Sequence, residues 1–278
     1  MIKLKLAAIA AAAAITLSAG ALYAQTPTPA PSPRPAKPSA PRAKPAAPQA
    51  APQPAPSTGK SLCVASVIGG KFNVQTIGLM VFGNALEEAS IQSWGLDDAL
   101  LRKVTQLMGR QYAVRRLDVP KSVLAAYEGP QQLFKDRNVD FIAALRTAAA
   151  GKCDLVLTAT RGSSGYGGTN QTLYGLGVLN HGRPINERVY VFVTYDLVLY
   201  DGKDFSRLRH TWPSTDPPVI GALVGPGIRG MYRRVDNGWW PGSAQAAAQS
   251  EQLKNTTRAM VEEGVGKSVP GMFTQAVN

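Results

Sequence analysis

The sequence has very few of the side chains from which catalytic and metal sites are usually built. It contains two histidines, His181 and His210, and two cysteines, Cys63 and Cys153, among 278 residues. A structural zinc site needs four such ligands close together, and these four are far apart in the sequence. We therefore predict no metal site and no cofactor, and we interpret both histidines as structural or solvated.

Motifs for nucleophilic or phosphate chemistry are also lacking. Residues 162–165 (GSSG) do not have the G-x-S-x-G spacing of a nucleophile elbow. The glycines of 165–177 do not have the G-x-G-x-x-G spacing of a dinucleotide site. Three acid pairs are adjacent in sequence: Glu87-Glu88, Asp97-Asp98 and Glu262-Glu263. Adjacent helix residues diverge by about 100°, so we interpret the last two pairs as solvated helix ends and predict no catalytic residue.

No apolar run is long enough for a membrane-spanning helix. The run at 6–17 is mostly alanine, follows Lys3 and Lys5, and precedes Ala19-Gly20-Ala21. A membrane span needs roughly 20 residues, whereas a charged start, a short apolar run and small residues are typical of a secretory signal peptide. We predict a signal peptide at 1–21, with cleavage after Ala24 or an uncleaved anchor as alternatives. No cysteine lies at the end of the run, where a lipid anchor would be attached, since the first cysteine is Cys63. We therefore expect a periplasmic or secreted protein without a lipid anchor.

Residues 22–59 have almost no large apolar side chains. They contain 12 of the 21 prolines, and proline disfavours both helix and sheet because it lacks the backbone N–H. We predict a disordered Pro/Ala-rich linker. An extended polyproline chain rises about 3.1 Å per residue, so the segment could reach on the order of 100 Å.

Acidic residues are absent from the first 60 positions. Seven lysines and arginines give this part +7, and the remaining chain carries +5 of the total +12. A basic linker favours an anionic membrane surface or cell-wall carboxylates. Because the chain is predicted to be exported, we expect no nucleic-acid partner, and the positive charge could also serve solubility alone.

The two cysteines predict a disulfide between Cys63 and Cys153. Paired cysteines in an exported protein usually form a bridge, and both precede or begin predicted strands. Two buried free thiols are the alternative.

The hydrophobic pattern after the linker predicts one globular α/β domain at 60–278, with a mixed β-sheet packed by helices. Two stretches, 161–187 and 213–242, are rich in glycine or proline and are predicted to be irregular. The predicted strands are 62–68, 76–82, 85–91, 112–117, 154–159, 189–200 and 205–212. The predicted helices are 96–108, 140–150 and 244–263, the last weakened at its end by Gly264 and Gly266.

Three stretches resemble a family of bacterial envelope domains. The segment 94–110 resembles the family's first helix with its terminal glycine, and 112–116 resembles the next strand. Residues 154–157 and the hairpin 189–207 resemble its later strands. The family includes penicillin-binding-protein activator lipoproteins, the amino-terminal domain of the Tol propeller protein and the curli-secretion lipoprotein. The resemblance implies a non-catalytic scaffold or regulator, although this chain lacks the lipidated cysteine.

Two stretches are candidate binding sites. Arginine, tyrosine and tryptophan are enriched in interface hot spots, and they are concentrated at 229–240 and, as tyrosines, in the long irregular stretch 161–187. The predicted partner-binding residues are Arg229, Tyr232, Arg233, Arg234, Trp239, Trp240, Tyr166 and Tyr174. Alternatively, the two tryptophans close the edge of the domain, and 161–187 is disordered.

We therefore expect a non-catalytic envelope adaptor or regulator that binds an envelope protein or a cell-wall component. An enzyme acting on cell-wall or envelope material, and a periplasmic binder of small molecules or lipids, are the alternatives.

Overall fold

The computed structural model describes residues 59–78, 83–128, 137–167, 169–182, 187–214 and 228–274. The predicted signal peptide and the predicted linker, except Gly59, lie outside these residues. No helix within the described ranges is both long and apolar enough to cross a membrane.

Within the described residues, ten strands form two mixed sheets of five strands each, and two short strands form a separate hairpin. Sheet 1 has the spatial order β11 (Arg207–Thr211), β10 (Tyr195–Asp201), β5 (Leu155–Arg161), β1 (Ser61–Ser66) and β4 (Ala113–Arg116). Sheet 2 has the order β12 (Met231–Val235), β9 (Arg188–Val193), β8 (Leu176–His181), β2 (Lys71–Ile77) and β3 (Ala85–Ser90). The hairpin consists of β6 (Ser163–Gly165) and β7 (Thr172–Tyr174). β1 runs parallel to β4 and β5, β2 runs parallel to β8, and the other pairs are antiparallel.

The described residues form five α-helices: α1 (Leu96–Met108), α2 (Lys121–Glu128), α3 (Arg137–Ala149), α4 (Ala244–Gln249) and α5 (Glu251–Thr274). The predicted fold class, a mixed β-sheet packed by helices, is therefore confirmed, with two sheets in place of one.

The sheets meet along a line that we call the seam, which consists of residues 67–70, 162, 175, 194 and the pair 212 and 229. β9 becomes β10 across the single residue Thr194. Its amide donates to the Gly175 carbonyl at 2.7 Å, and its carbonyl accepts from the Gly162 amide at 3.0 Å. β1 passes into β2 through residues 67–70. On the other side of the seam, β11 pairs with β10 in sheet 1, and β12 pairs with β9 in sheet 2. The seam therefore lets one chain contribute to both sheets.

One apolar core lies between the inner faces of both sheets and helices α1, α4 and α5. α1 follows from its sequence because Leu96, Leu100, Val104 and Met108 recur every four residues, and all four are buried. Asp97 and Asp98 occupy the first turn, where the helix dipole favours negative charge.

The last helix continues past the residues that we expected to weaken its end. α5 ends at Thr274, so the prediction of a helix ending near residue 263 is wrong. A Cβ at Gly264 would lie 2.7 Å from Oη of Tyr195 and 2.8 Å from Cβ of Pro213. Glycine at 264 therefore serves close packing of the helix against sheet 1 and does not end the helix.

The outer face of sheet 1 is covered by α2 and α3, which enclose a second apolar cluster with Phe141 and Leu145 at its centre. Cys63 and Cys153 form a disulfide within this cluster, with their Cα atoms 5.7 Å apart, so the disulfide prediction is confirmed. Next to it, the Asp154 carboxylate accepts hydrogen bonds from the amide and the hydroxyl of Ser61, at 2.7 and 2.8 Å. These contacts attach the start of β1 to the start of β5.

The outer face of sheet 2 carries the β6–β7 hairpin and a third, smaller cluster around Tyr166, Leu173 and Phe192. The prediction that 161–187 is irregular is therefore wrong: it contains the hairpin and β8, the central strand of sheet 2. β8 is buried on both sides, so its sequence lacks the polar alternation that indicates a half-exposed strand. Glycine is required at 177, because a Cβ there would lie 2.4 Å from Cζ of Phe192.

Four further boundaries differ from the predictions. The single strand expected at 189–200 is two strands in different sheets, β9 and β10. The stretch 213–242, expected to be irregular, contains β12. α2 was not predicted. β2 begins at Lys71 and not at Thr76, and residues 79–82 of the predicted strand lie outside the described residues.

Candidate functional site

The most prominent exposed group lies at the edge of the sheets, where the seam reaches β11 and β12. Trp212 follows β11, and Arg229 precedes β12. The Arg229 guanidinium lies over the Trp212 ring, 4.7 Å from its centroid, and Trp212 is 41% exposed. We call Asp196, His210, Trp212 and Arg229 the edge cluster.

His210 connects the tryptophan to an acidic side chain. Its Nε2 lies 3.0 Å from Oδ1 of Asp196, and its ring contacts Trp212 edge to face at 5.7 Å between centroids. The imidazole of His210 and the carboxylate of Asp196 are both 36% exposed, so solvent screens their interaction. The cluster therefore combines an aromatic surface with polar groups of both signs, as in protein-binding hot spots.

Ser164 holds the arginine of the cluster in place. The Arg229 amide donates to the Ser164 hydroxyl at 2.5 Å, and that hydroxyl donates to the Gly165 carbonyl at 2.9 Å. Residues 163–165 form strand β6, so the hydrogen bond from the Arg229 amide attaches the residues before β12 to this strand.

The predicted residues on β12 point to opposite sides of sheet 2, because side chains alternate along a strand. Arg233 lies on the helix side, with Nη2 3.6 Å from Oε2 of Glu263. Tyr232 contacts Tyr190 on the outer side, at 6.4 Å between ring centroids. Arg234 has the same register as Tyr232 and is exposed. The structure thus does not bring these three predicted residues into one surface, although both arginines border the edge.

Trp239 and Trp240 follow β12 in a short 3-10 turn. The Asp236 carboxylate accepts a hydrogen bond from the Gly238 amide at 2.7 Å and caps this turn. Both indoles are half-buried and pack against the main core. They contribute to closing the domain edge, and only part of each ring is accessible.

Tyr174 is the last residue of β7, and Tyr166 directly follows β6, in the connection between the two strands of the hairpin. Tyr166 is 4% exposed, and its hydroxyl lies 3.0 Å from Nδ1 of His181. Burial raises the pKa of Tyr166 to about 12. Tyr174 is half-buried, with the Arg161 guanidinium 5.2 Å from its ring centroid. Tyr166 is therefore not an exposed partner contact, contrary to the prediction.

Asp97 differs from its predicted role as a solvated helix end. Its carboxylate accepts hydrogen bonds from the Ser66 hydroxyl at 2.5 Å and from the Ile68 amide at 3.0 Å. Burial raises its pKa, and these hydrogen bonds oppose the shift. It lines a cavity of about 190 Å³ together with Arg116 and Asp118. Asp97 therefore holds the end of β1 at Ser66 and the seam at Ile68 and Gly69.

No group of three or more His, Cys, Asp or Glu side chains that could hold a metal ion occurs within the described ranges. Burial and the nearby charge of Arg188 lower the pKa of His181, whose ring lies beside Tyr166. The His181 side chain therefore packs against the buried Tyr166.

Sequence reasoning missed three of the four residues in the edge cluster. Trp212 is the last residue of a predicted strand. His210 was interpreted as structural or solvated, and Asp196 was not singled out. The pairing of β11 with β10 brings them together. A lone tryptophan immediately before a proline-rich segment was the available signal.

Comparisons with known proteins are sparse. No family model matches the chain, and no match was found among curated proteins. A solved structure from Xanthomonas campestris, protein XCC0632 of the DUF330 family, is 12% identical, with 79% of this chain and 92% of that chain covered and a TM-score of 0.29. A hypothetical protein from Chlamydia trachomatis, CT253, is 10% identical, with coverages of 76% and 100% and a TM-score of 0.24. Similarity at this level carries no argument about function.

Proposed function

We propose that this protein is an exported, non-catalytic adaptor of the bacterial cell envelope, and that its edge cluster binds an acidic surface of an envelope protein. The observation that carries the proposal is the exposed Trp212 ring beneath the Arg229 guanidinium. Exposed aromatic and arginine side chains in contact with each other are the residue types that dominate binding energy in interfaces.

The charge around the cluster supports an acidic partner. The edge strands β11 and β12, which adjoin the cluster, carry the exposed arginines Arg207, Arg209, Arg233 and Arg234. Asp196 within the cluster contacts His210, and Glu263 contacts Arg233, so each of these acids faces a basic side chain. A partner with carboxylates would therefore be attracted to this edge, and the attraction would weaken with salt.

Three sequence features support the cellular setting. The predicted signal peptide favours export, and the disulfide between Cys63 and Cys153 is compatible with an oxidising compartment. The proline-rich linker supplies reach, and its basic residues favour an anionic membrane surface. The resemblance of 94–116 and 154–157 to envelope domains supports the same setting.

The test is affinity capture from crosslinked envelopes with tagged full-length protein. The double variant Trp212→Ala, Arg229→Glu should reduce capture of a specific protein at least tenfold, about 1.4 kcal/mol of binding. The matched control is Leu86→Ala, Arg115→Glu, which changes an exposed apolar side chain and an arginine on β3 and β4, the opposite edges of the two sheets.

The control should capture within twofold of the wild type, and both variants should unfold at the wild-type temperature. Equal capture by the wild type and the Trp212 variant would refute the site. Release of soluble fragments from isolated cell wall by the pure protein would refute a non-catalytic role. Capture by a protein lacking residues 25–59 should be weaker if the linker supplies reach.

A further inference from the structure

Arg161 is a buried cation at the seam, on strand β5, where its neighbour Thr160 pairs with Asp196 of the edge cluster. It ends β5 and is only 6% exposed. Its side-chain carbons pack against Gly175, where an added Cβ would lie 3.0 Å from Cδ of Arg161. Glycine at 175 also has a φ of 65°, and its lack of a side chain leaves room for the arginine stem.

The guanidinium has no acidic partner within the described ranges. None of the ion pairs formed by these residues includes Arg161, and its Nε is buried without a hydrogen-bond acceptor. The guanidinium lies over the ring of Tyr174, 5.2 Å from its centroid. Buried charges are normally paired, and arginine remains charged at all physiological pH values.

Hydroxyl groups from two other elements surround this cation. Tyr127 of α2 lies within hydrogen-bonding reach of Thr160 and Tyr174 and interacts electrostatically with Arg161. Burial raises the pKa of the Tyr127 phenol, so its hydroxyl stays neutral and can donate a hydrogen bond. Together they form what we call the Arg161 cluster: Tyr127, Thr160, Arg161 and Tyr174.

A second unsatisfied polar atom lies beside the same tyrosine. The Asn73 side-chain amide donates to the Tyr174 carbonyl, whereas its buried Oδ1 has no donor. Native structures contain only a few such atoms, and each requires an explanation such as a binding role. Two of the five unsatisfied buried side-chain atoms among the described residues thus adjoin Tyr174, which is itself half-buried.

We propose that the Arg161 cluster is a binding site for the oxyanion group of a small molecule, a carboxylate or a phosphate. The planar guanidinium fork accepts either group in a bidentate arrangement. The Tyr127 and Thr160 hydroxyls, which already bond within the cluster, would turn to donate to the remaining oxygen lone pairs, and Asn73 Oδ1 would accept from a donor on the ligand. The site does not depend on the proposed adaptor function.

The test measures binding of sodium phosphate, sodium acetate and acetamide to the full chain by calorimetry, at constant ionic strength. We expect saturable binding of at least one oxyanion and none of neutral acetamide, and the tighter oxyanion identifies the class. Arg161→Gln should weaken the affinity at least tenfold. The matched control Arg115→Gln, which removes an exposed arginine of β4, should stay within twofold.

Arg161→Lys keeps the positive charge but loses the planar fork, and it should weaken binding at least threefold. If Arg161→Gln does not fold, Arg161→Lys tests whether the guanidinium binds the oxyanion. Wild-type affinity in Arg161→Lys, equal weakening in Arg115→Gln, binding of acetamide as tight as acetate, or no saturable binding of either oxyanion would each overturn the proposal.

Discussion

The outer faces of the two sheets are covered in different ways, although both sheets share one inner core. Sheet 1 is covered by two helices and an apolar cluster that includes the disulfide. Sheet 2 is covered by a hairpin of two three-residue strands, with tyrosines and His181 between the layers. Polar atoms are thus concentrated beneath the thinner cover.

The two covers differ in what they can contribute, one to stability and the other to binding. Apolar burial contributes about 25 cal/mol per Å² and needs no partner outside the domain, so the outer face of sheet 1 can be a purely structural layer. The outer face of sheet 2 contains the buried polar atoms of Asn73 and lies beside Arg161, and such groups cost free energy unless they are paired. We therefore expect sheet 1 to hold most of the stability and sheet 2 to hold the more adaptable surface.

The largest expected effect comes from removing the disulfide with Cys63→Ala and Cys153→Ala. The bridge spans 90 residues, and its loss should lower the free energy of unfolding by about 4 kcal/mol, because the unfolded chain is no longer constrained. Urea denaturation measures this loss. Reductant should destabilise the wild type to a similar extent and leave the double variant unchanged. A loss below about 1 kcal/mol would contradict the assignment of stability to this face.

The second prediction compares one leucine from each outer face. Leu145 and Leu173 are both fully buried. Leu145→Ala should cost about 3 kcal/mol of global stability, because α3 cannot leave without disrupting the cluster. Leu173→Ala should cost about 1 kcal/mol globally, because the hairpin can open locally while both sheets persist.

Urea denaturation measures the global losses, and hydrogen exchange at β6 and β7 measures the local opening. Hydrogen exchange at β6 and β7 should accelerate in Leu173→Ala by more than the loss of global stability explains. In Leu145→Ala it should accelerate only as far as the loss of global stability explains. Equal global losses in the two variants would show that both faces are equally coupled to the core.

The smallest effect is a pH dependence confined to sheet 2. The pKa of His181 is lowered from its ordinary value of 6.5, mainly by burial and further by Arg188. Its neutral form is therefore favoured in the folded state. The stability this provides is present above pH 6.5 and is lost as the pH falls through the folded-state pKa.

Hydrogen exchange of the hairpin amides, corrected for intrinsic rates, should show lower protection at pH 5.5 than at pH 7.5, by less than about tenfold. His181→Gln does not titrate and should remove the difference. Asp154 provides the contrast on sheet 1. The Ser61 hydrogen bonds lower the pKa of Asp154, so its contribution is lost only under more acidic conditions. The same pH dependence in His181→Gln as in the wild type would exclude His181 as its source.

The part of the fold that was predictable from sequence is mostly the part with simple periodicity. α1 was placed correctly because Leu96 and Leu100 recur at helical spacing and Gly109 follows. The disulfide was predictable because only two cysteines exist in the sequence. β11 was predictable from the Asp201-Gly202 turn before it.

The rest depends on contacts that local sequence does not record. β8 has a glycine at 177 because a phenylalanine on β9 lies against it, and that contact needs the finished sheet. β12 carries two adjacent arginines, Arg233 and Arg234, which obscure its strand pattern. Thr194 has no local signal for a change of sheet, yet its hydroxyl donates to carbonyls of both Gly162 and Gly175.

The same reasons explain the candidate sites. Arg229 was predicted from residue type, but Trp212 and His210 join it only through the pairing of β10 with β11. Tyr166 was expected in a loop and is buried because the hairpin folds back on sheet 2. Arg161 was named only as the start of an irregular stretch, since burial of an arginine cannot be inferred from its neighbours in sequence.

The seam gives this domain two places where chain length can change without altering either sheet. The chain leaves at Gly162 and returns at Gly175, and both glycines bond to Thr194. It leaves again after Trp212 and returns at Arg229, which lie in contact. Because the entry and exit points are adjacent, lengthening either insert adds loop entropy only slowly. A different sequence in either insert would therefore change the surface beside the seam and leave the backbone hydrogen bonds at its ends in place.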